Sequence, residues 1–405
     1  MIHQNLDMTM KMKMTRPVFE NLNLSRYPLT SDPNLKAWNA ADEYLIESSG
    51  AHEISQESNV LVVNDQFGAI TCALYQATPD LNLINWTDSF LSKFATNKNV
   101  KANYLAIDIK FFSQYQSRLD PKLMLDYIFI RVPKHNSLLE FQLETLCSHI
   151  NDATIVIAAG MTKEIHNSTI ALFEKIIGPT KTSLAKKKAR LIYARVAEDK
   201  LDKNQEERAT KIKQFELKEF GVTSYGYPGD FSRDKLDLGC RVLLKYLPNT
   251  LNDQKLIDLG CGTGILGTVA AKQNKNLRVV FSDESFLAIQ SAKKTFAENV
   301  KKSAAYHVTN VLDDIEENDF DHILCNPPFH QQNVQTLSIA NKMFKQSAQK
   351  LKSTGELRVV ANRHLNYKPM LGKYFEKVRM LSNDPKFVVW LATSPKGNIT
   401  TNHQL

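Results

Sequence analysis

The sequence predicts an α/β protein built as two tandem doubly wound domains, the first a degenerate copy of the second. Three observations carry this. Residues 126–135 lie over residues 321–330 without a gap: an acid, four largely apolar residues, one polar residue, then a proline-containing turn ending in His. Residues 60–68 match 256–264 in the same way, and residues 85–88 match the strand end at Asp283. In both halves these apolar runs recur at nearly the same intervals, with room for a helix between them, as a parallel sheet with crossover helices requires.

In the second half, Leu256-Ile257-Asp258-Leu259 runs as an apolar strand into Gly260-Cys261-Gly262-Thr263-Gly264 and then an apolar helix. Glycines let the backbone pass close to a ligand, and the helix start offers free N–H groups. Gly262, Gly264 and Gly267 satisfy the G-x-G-x-x-G dinucleotide fingerprint, with Asp283 at about the spacing of a ribose-binding acid, so a nicotinamide dehydrogenase is the competing expectation. Asp258 at the strand end opposes it. A carboxylate there repels a pyrophosphate but suits the cationic amino-acid end of S-adenosylmethionine, which carries no phosphate. Gly260, Gly262 and Gly264 are therefore expected to line this cofactor, with Asp258 near its amino-acid end and Asp283 on both ribose hydroxyls. Asn310, just after a strand containing Tyr306 to Val308, is expected at the adenine amino edge.

The fourth strand ends in Cys325-Asn326-Pro327-Pro328-Phe329-His330. The two prolines fix φ and remove two N–H donors, so the turn presents carbonyl oxygens and the Asn326 side chain to whatever enters. An exocyclic amine of a base is a poor nucleophile, because its lone pair is conjugated into the ring; two acceptors on its hydrogens help to localise that pair. Asn326 and the Pro327 carbonyl are expected to accept from the amine, and Phe329 to stack on the ring. No dedicated base is required, because the methylated, ammonium-like product is strongly acidic. His330 and His364 stay outside the catalytic set. Asn-Pro-Pro-aromatic turns also serve adenine-N6 and glutamine methylation, so the turn alone leaves the planar amine open.

The first half keeps the pattern and loses the chemistry. Val62, Asn64 and Gln66 stand where the second half has Asp258, Gly260 and Gly262; Arg131 replaces Asn326 and Lys134 replaces Phe329. Side chains at the glycine positions block the backbone's approach to a cofactor, and Arg131 offers donors where an amine needs acceptors. This domain is expected neither to bind S-adenosylmethionine nor to methylate, and its basic replacements suit contact with phosphate.

Through these residues the chain resembles the class I S-adenosylmethionine-dependent methyltransferases with an N-P-P-F motif. Gly229-Asp230-Phe231-Ser232-Arg233-Asp234, Leu236-Asp237, Asn326-Pro327-Pro328-Phe329-His330-Gln331-Gln332 and Val360-Ala361-Asn362-Arg363-His364-Leu365 narrow the resemblance to bacterial ribosomal RNA guanine-N2 methyltransferases. The Asn-Pro-Pro-Phe-His-Gln-Gln form is similar to the large-subunit (23S) branch, with the small-subunit (16S) branch a near cousin. The resemblance extends from Leu24-Ser25-Arg26-Tyr27-Pro28 to Lys386-Phe387-Val388-Val389; only the first dozen residues and residues 197–210 look unlike it. It implies a degenerate first domain supporting an active second one, with residues 231–233 closing over the cofactor. The alternatives are the 16S enzyme and a non-catalytic RNA-binding assembly factor of the same fold.

The 405 residues suffice for two domains with sizeable cores. The net charge of +8 suits a polyanionic partner. Residues 181–195 hold Lys181, Lys186, Lys187, Lys188, Arg190 and Arg195 with no acid among them, and Lys186, Lys187, Lys188 and Arg190 are the expected RNA contacts. Five scattered cysteines, with no C-x-x-C pair, indicate reduced thiols in a cytoplasmic protein without a metal site. No apolar run approaches the ~20 residues of a membrane span. The expected organisation is a flexible tail over residues 1–16, the degenerate domain over 17–197, a polar linker over 198–211 and the catalytic domain over 212–405, in a monomer. Phe215 and Leu217 read as a short extended segment without an identifiable partner strand, followed by a turn over residues 221–229.

Overall fold

The computed structural model describes residues 18–30, 32, 34–105, 110–112, 119–201, 212–230, 232–249, 251, 253–328 and 334–396. The chain divides into two compact units, the first comprising Met1–Thr87 and Leu91–Ala209, the second Asp88–Phe90 and Thr210–Leu405.

The first unit contains strands β1 (Asn59–Val63), β2 (Asn82–Trp86), β3 (Lys110–Phe112), β4 (Tyr127–Arg131), β5 (Ile155–Met161), β6 (Thr180–Thr182) and β7 (Ala189–Arg195), in the sheet order β3-β2-β1-β4-β5-β7-β6. Its helices are α1 (Ala40–Ser49), α2 (Ala69–Ala77), α3 (Phe90–Ala102), α4 (Asn136–Leu146) and α5 (Asn167–Ile176).

The second unit begins with β8 (Lys213–Leu217), β9 (Val222–Gly226) and α6 (Leu238–Leu244). Its main sheet is built from β10 (Lys255–Leu259), β11 (Arg278–Asp283), β12 (Ala305–Val308), β13 (Phe320–Cys325), β14 (Leu351–Asn362), β15 (Phe375–Asn383) and β16 (Phe387–Pro395). The helices between these strands are α7 (Ile265–Gln273), α8 (Phe286–Asn299), α9 (Val334–Lys350) and α10 (Lys368–Leu371). The order β12-β11-β10-β13-β14-β16-β15 repeats that of the first unit position by position, five parallel strands closed by an antiparallel pair. The internal repeat read from the sequence is thus a repeat of topology, and both sheets reverse at the junction of their first and fourth strands, where an open parallel sheet leaves its binding crevice.

Strands buried on both faces need near-continuous apolar runs, which is why the repeat was legible. Leu256, Ile257, Leu259, Ile323, Leu324 and Cys325 are all 0–1% exposed and sit at the centre of the second core. Val60, Val62 and Phe129 do the same work in the first.

The partner of Phe215 and Leu217 is β9, so the stretch read as a turn over 221–229 contains a strand. Its role is set by a helix. Thr223 N donates to Asn299 Oδ1 at 2.8 Å, Tyr225 N to Thr295 Oγ1 at 3.0 Å and Tyr227 N to Ser291 Oγ at 2.9 Å. Two strand residues advance roughly 6.6 Å and four helix residues roughly 6 Å, so alternate amides of β9 find every fourth side chain of α8. Asn299, Thr295 and Ser291 satisfy an edge that has no strand to pair with among the described residues, and the ladder brings Tyr227 and Asp230 to Ser291 of α8.

Among the described residues no helix is long and apolar enough to cross a membrane. All five cysteines are free and buried.

Candidate active site

The turn from β10 to α7 carries Gly260, Gly262 and Gly264 at φ +67°, +50° and +73°. Gly264 is required by packing: a Cβ there would sit 2.8 Å from Ala292 Cα on α8. The first unit keeps this glycine as Gly68, whose Cβ would meet Thr96 Cα at 2.6 Å on α3. Gly260 is different. Its equivalent Asn64 adopts φ +61°, so the backbone there accepts a side chain, and a Cβ on Gly260 would meet only the tip of Met343, at 3.3 Å. The glycine leaves open a space beside the turn, as a ligand lying against the backbone requires.

Three carboxylates gather about this turn, Asp258 buried and Asp283 and Asp230 partly buried. Asp258 Oδ2 accepts from Gly267 N at 2.8 Å. Asp283 Oδ2 accepts from Gly262 N at 2.9 Å, and its Oδ1 from Ser285 N at 3.0 Å, clamping the turn to the end of β11. Asp230 Oδ2 accepts from Tyr227 N at 2.9 Å and from Ser291 Oγ, while its Oδ1 is buried with no hydrogen-bond partner. Burial pushes Asp258 and Asp230 each up to about 7, with the Asp283 charge adding to the rise, and burial raises Asp283 as well. Negative charge gathered out of water in this way suits a cation and opposes a pyrophosphate. Asn310, 5% exposed and just beyond β12, holds its Nδ2 buried without a partner.

Asn326 follows directly on the buried end of β13. Its Nδ2 donates to Asp237 Oδ2 at 3.1 Å, and the same oxygen accepts from Cys240 N at 2.9 Å as the N-cap of α6. A carboxylate only accepts, so this contact settles which way the amide points. Asn326 Oδ1 is then left buried with no hydrogen-bond partner among the described residues. Pro327 stands beside it; Phe329, Phe231 and His330 lie outside the described residues. Sequence reasoning gave no role to Asp237 or Asp230. An Asp just before an apolar helical run is an N-cap signal, which could have found Asp237; Asp230 carried no comparable signal.

In the first unit the corresponding space is filled. Asn64 Nδ2 donates to Arg131 O at 3.0 Å and to Gln142 Oε1 at 2.9 Å, and Gln142 Nε2 returns a bond to Asn64 Oδ1 at 2.8 Å. The N–H matching Gly267 belongs to Thr71 and is met by Asp65 at 2.8 Å, a carboxylate from a different position of the turn. Arg131 corrects the expectation of a phosphate contact: its Nε pairs with Asp42 Oδ1 at 2.9 Å, both side chains about nine-tenths buried, and its Nη1 donates to Ala159 O at 3.2 Å. The guanidinium is spent inside the domain.

The basic run beside β7 is also partly compensated. Lys187 and Lys188 form the tight turn before β7, with φ +50° and +63°. No acid lies within residues 181–195, but α1 supplies two: Lys186 pairs with Glu47 and Lys187 with Glu43 at 2.7 Å. Lys188 is exposed, and Arg190 is half-buried with its Nε unpartnered.

A glycine turn under three carboxylates and an acceptor-bearing Asn-Pro-Pro turn on the neighbouring strand define an S-adenosylmethionine-dependent methyltransferase of the class I fold. Residues 221–391 match the family model of the methyltransferase small domain, and residues 12–198 match the RLMG N-terminal domain. The chain belongs to the ribosomal RNA large subunit methyltransferase G family. It is 37% identical over 394 residues to the ribosomal RNA large subunit methyltransferase G of Pseudoalteromonas translucida, covering 96% of this chain and 100% of that one. It is 36% identical to that of Photobacterium profundum over 371 residues, covering 91% and 96%. A solved structure from T. Thermophilus, the 16S rRNA N2 methyltransferase RsmC in complex with AdoMet and guanosine, shares the fold with a TM-score of 0.68 at 17% identity, covering 88% of this chain and 92% of that chain. The dehydrogenase expectation falls with these matches.

Proposed function

We propose that this chain transfers a methyl group from S-adenosylmethionine to the exocyclic N2 amine of a guanine in large-subunit (23S) ribosomal RNA. The observation that carries this is Asn326 Oδ1, a buried acceptor with no hydrogen-bond partner among the described residues, on an amide held by Asp237 at a turn whose prolines remove competing donors. When bound, the cofactor supplies an electrophilic methyl group. Asn326 Oδ1 and the Pro327 carbonyl accept from the two hydrogens of the amine and localise its lone pair, and Phe329 stacks on the base. Gly260, Gly262 and Gly264 hold the cofactor against the backbone, Asp258 lies near its amino-acid end, Asp283 on the ribose and Asn310 on the adenine edge. Preorganised polar groups of this kind contribute most where they are shielded from water.

The large-subunit assignment is supported by 36–37% identity over nearly full length to enzymes named for that subunit, against 17% to the 16S enzyme RsmC. A non-catalytic role is disfavoured because the second domain keeps each of the residues that the first has lost. We take residues 17–197 as the supporting domain, 198–211 as the linker and 212–405 as the catalytic domain, in a monomer acting in the cytoplasm, where five free thiols remain reduced. Mass mapping of ribosomal RNA from a strain lacking the gene tests the proposal: one N2-methylguanine should vanish from the large-subunit RNA and return on complementation. Loss from the small-subunit RNA, or no loss, overturns it.

A further inference from the structure

We infer that the catalytic domain carries its own ribosomal RNA phosphate surface, formed by Lys245, Arg363 and Lys386 at the end of the sheet where Asn326 lies. The inference rests on the rRNA methyltransferase function proposed above.

The position follows from register. Cys325 pairs with Val359 in parallel, so Asn362, the last residue of β14, stands three residues farther along, roughly 10 Å beyond the level of Cys325. Asn362 pairs with Phe387, and Arg363 N donates to Lys386 O at 2.9 Å, bringing Arg363 and Lys386 together at the same rim. Lys245 arrives by another route. Helix α6 starts at Asp237, in contact with Asn326, and Lys245 caps its far end, roughly 12 Å along the axis. All three residues are exposed, as are His364 and Lys368 beside them.

Arg363 is also fixed in place. Arg363 donates from Nε at 3.2 Å and from Nη2 at 2.7 Å to the carbonyl oxygen of Asp384. The Asp384 carboxylate accepts from Lys386 N at 2.9 Å and Phe387 N at 3.0 Å; these bonds, together with the nearby charges of Lys245 and Arg363, hold it below the usual carboxylate range. The charges of Lys245 and Arg363 thus act on one carboxylate, and the Lys386 side chain shares their rim, so the rim carries a net excess of positive charge. The first domain's Lys186 and Lys187 each have an acid of their own. A base presented to Asn326 must leave its stack, and the phosphates on either side of it need a cationic surface near that turn.

Two variants test this, Lys245→Gln/Lys386→Gln, which spares the Arg363 anchor, and the same pair with Arg363→Gln. Affinity for protein-free large-subunit rRNA is measured against salt from about 50 to 300 mM, beside S-adenosylmethionine affinity and thermal melting. The expected result is rRNA binding weakened about tenfold or more at the lowest salt, with the salt slope reduced by about 0.7 to 0.9 for each phosphate no longer neutralised, at unchanged cofactor affinity. Unchanged rRNA affinity and slope in both variants, or a parallel loss of cofactor binding, overturns the inference. If the unaltered chain itself neither binds nor methylates this rRNA, the functional proposal fails instead.

Discussion

Asn326 donates its amide hydrogen to Asp237 at 3.1 Å, and through that one bond the cap of a short helix fixes the orientation of the amide proposed to meet the substrate. Asn326→Ala is expected to lower methyl transfer by roughly two to three orders of magnitude, the scale for removing a preorganised polar group, while S-adenosylmethionine affinity stays within a few-fold. Asp237→Ala removes the orienting acceptor and the cap together; turnover should fall and stability drop by about 1 kcal/mol. Equal losses of cofactor binding and turnover in Asn326→Ala would make the side chain structural.

Gly260→Asn copies Asn64 of the first domain into the second. Because Asn64 already adopts the same left-handed backbone at φ +61°, the variant should fold, yet its side chain should fill the space beside the turn. Calorimetry should find one S-adenosylmethionine site in the unaltered chain and none in Gly260→Asn, with Gln66 variants unaffected. Two sites per chain would overturn the degenerate reading of the first domain.

Asp258 and Asp230, each raised to about 7, bind a proton more readily folded than unfolded. The sign follows from linkage: their contribution to stability is complete below the ordinary carboxylate value and is lost as pH rises toward 7. A cationic cofactor favours the ionised carboxylates, so its affinity should rise between about pH 5.5 and 7, with protons released on binding at the acid end. Calorimetry in buffers of different ionisation enthalpy reads that release. Proton uptake, or none across the window, would separate these carboxylates from the cofactor.

Arg131→Ala leaves Asp42 buried without its cation. Removing one partner of such a pair typically costs about 3 kcal/mol or more, so melting should fall by several degrees while cofactor affinity in the other domain is unchanged. A variant as stable as the parent would place Arg131 among dispensable surface charges.

Replacing Lys186, Lys187, Lys188 and Arg190 with Gln tests the first domain's share of RNA binding. Exposed ion pairs are weak enough for phosphate to displace Glu43 and Glu47, so the salt slope should flatten, though by less than four full phosphates' worth. Identical slopes would leave this run a solvated turn.

The sequence by itself determined the two tandem sheets, because doubly buried parallel strands need near-continuous apolar runs such as 60–63 and 323–325, and a duplicated order of runs means a duplicated order of strands. It also located the glycine turn and the Asn-Pro-Pro turn, since backbone freedom and missing donors are properties of the residues themselves. Only the tertiary structure decided what each polar group faces. Arg131 and the lysines of the 181–195 run look available along the chain, yet Asp42, Glu43 and Glu47 come to them from α1, far away in sequence. Asp237 likewise meets Asn326 across 89 residues, and the edge of β9 away from β8 finds its donors' partners on α8 instead of on another strand. Apolar periodicity is a local signal that survives in one dimension; charge compensation and hydrogen-bond satisfaction are pairwise, and the pairs exist only once the chain has folded.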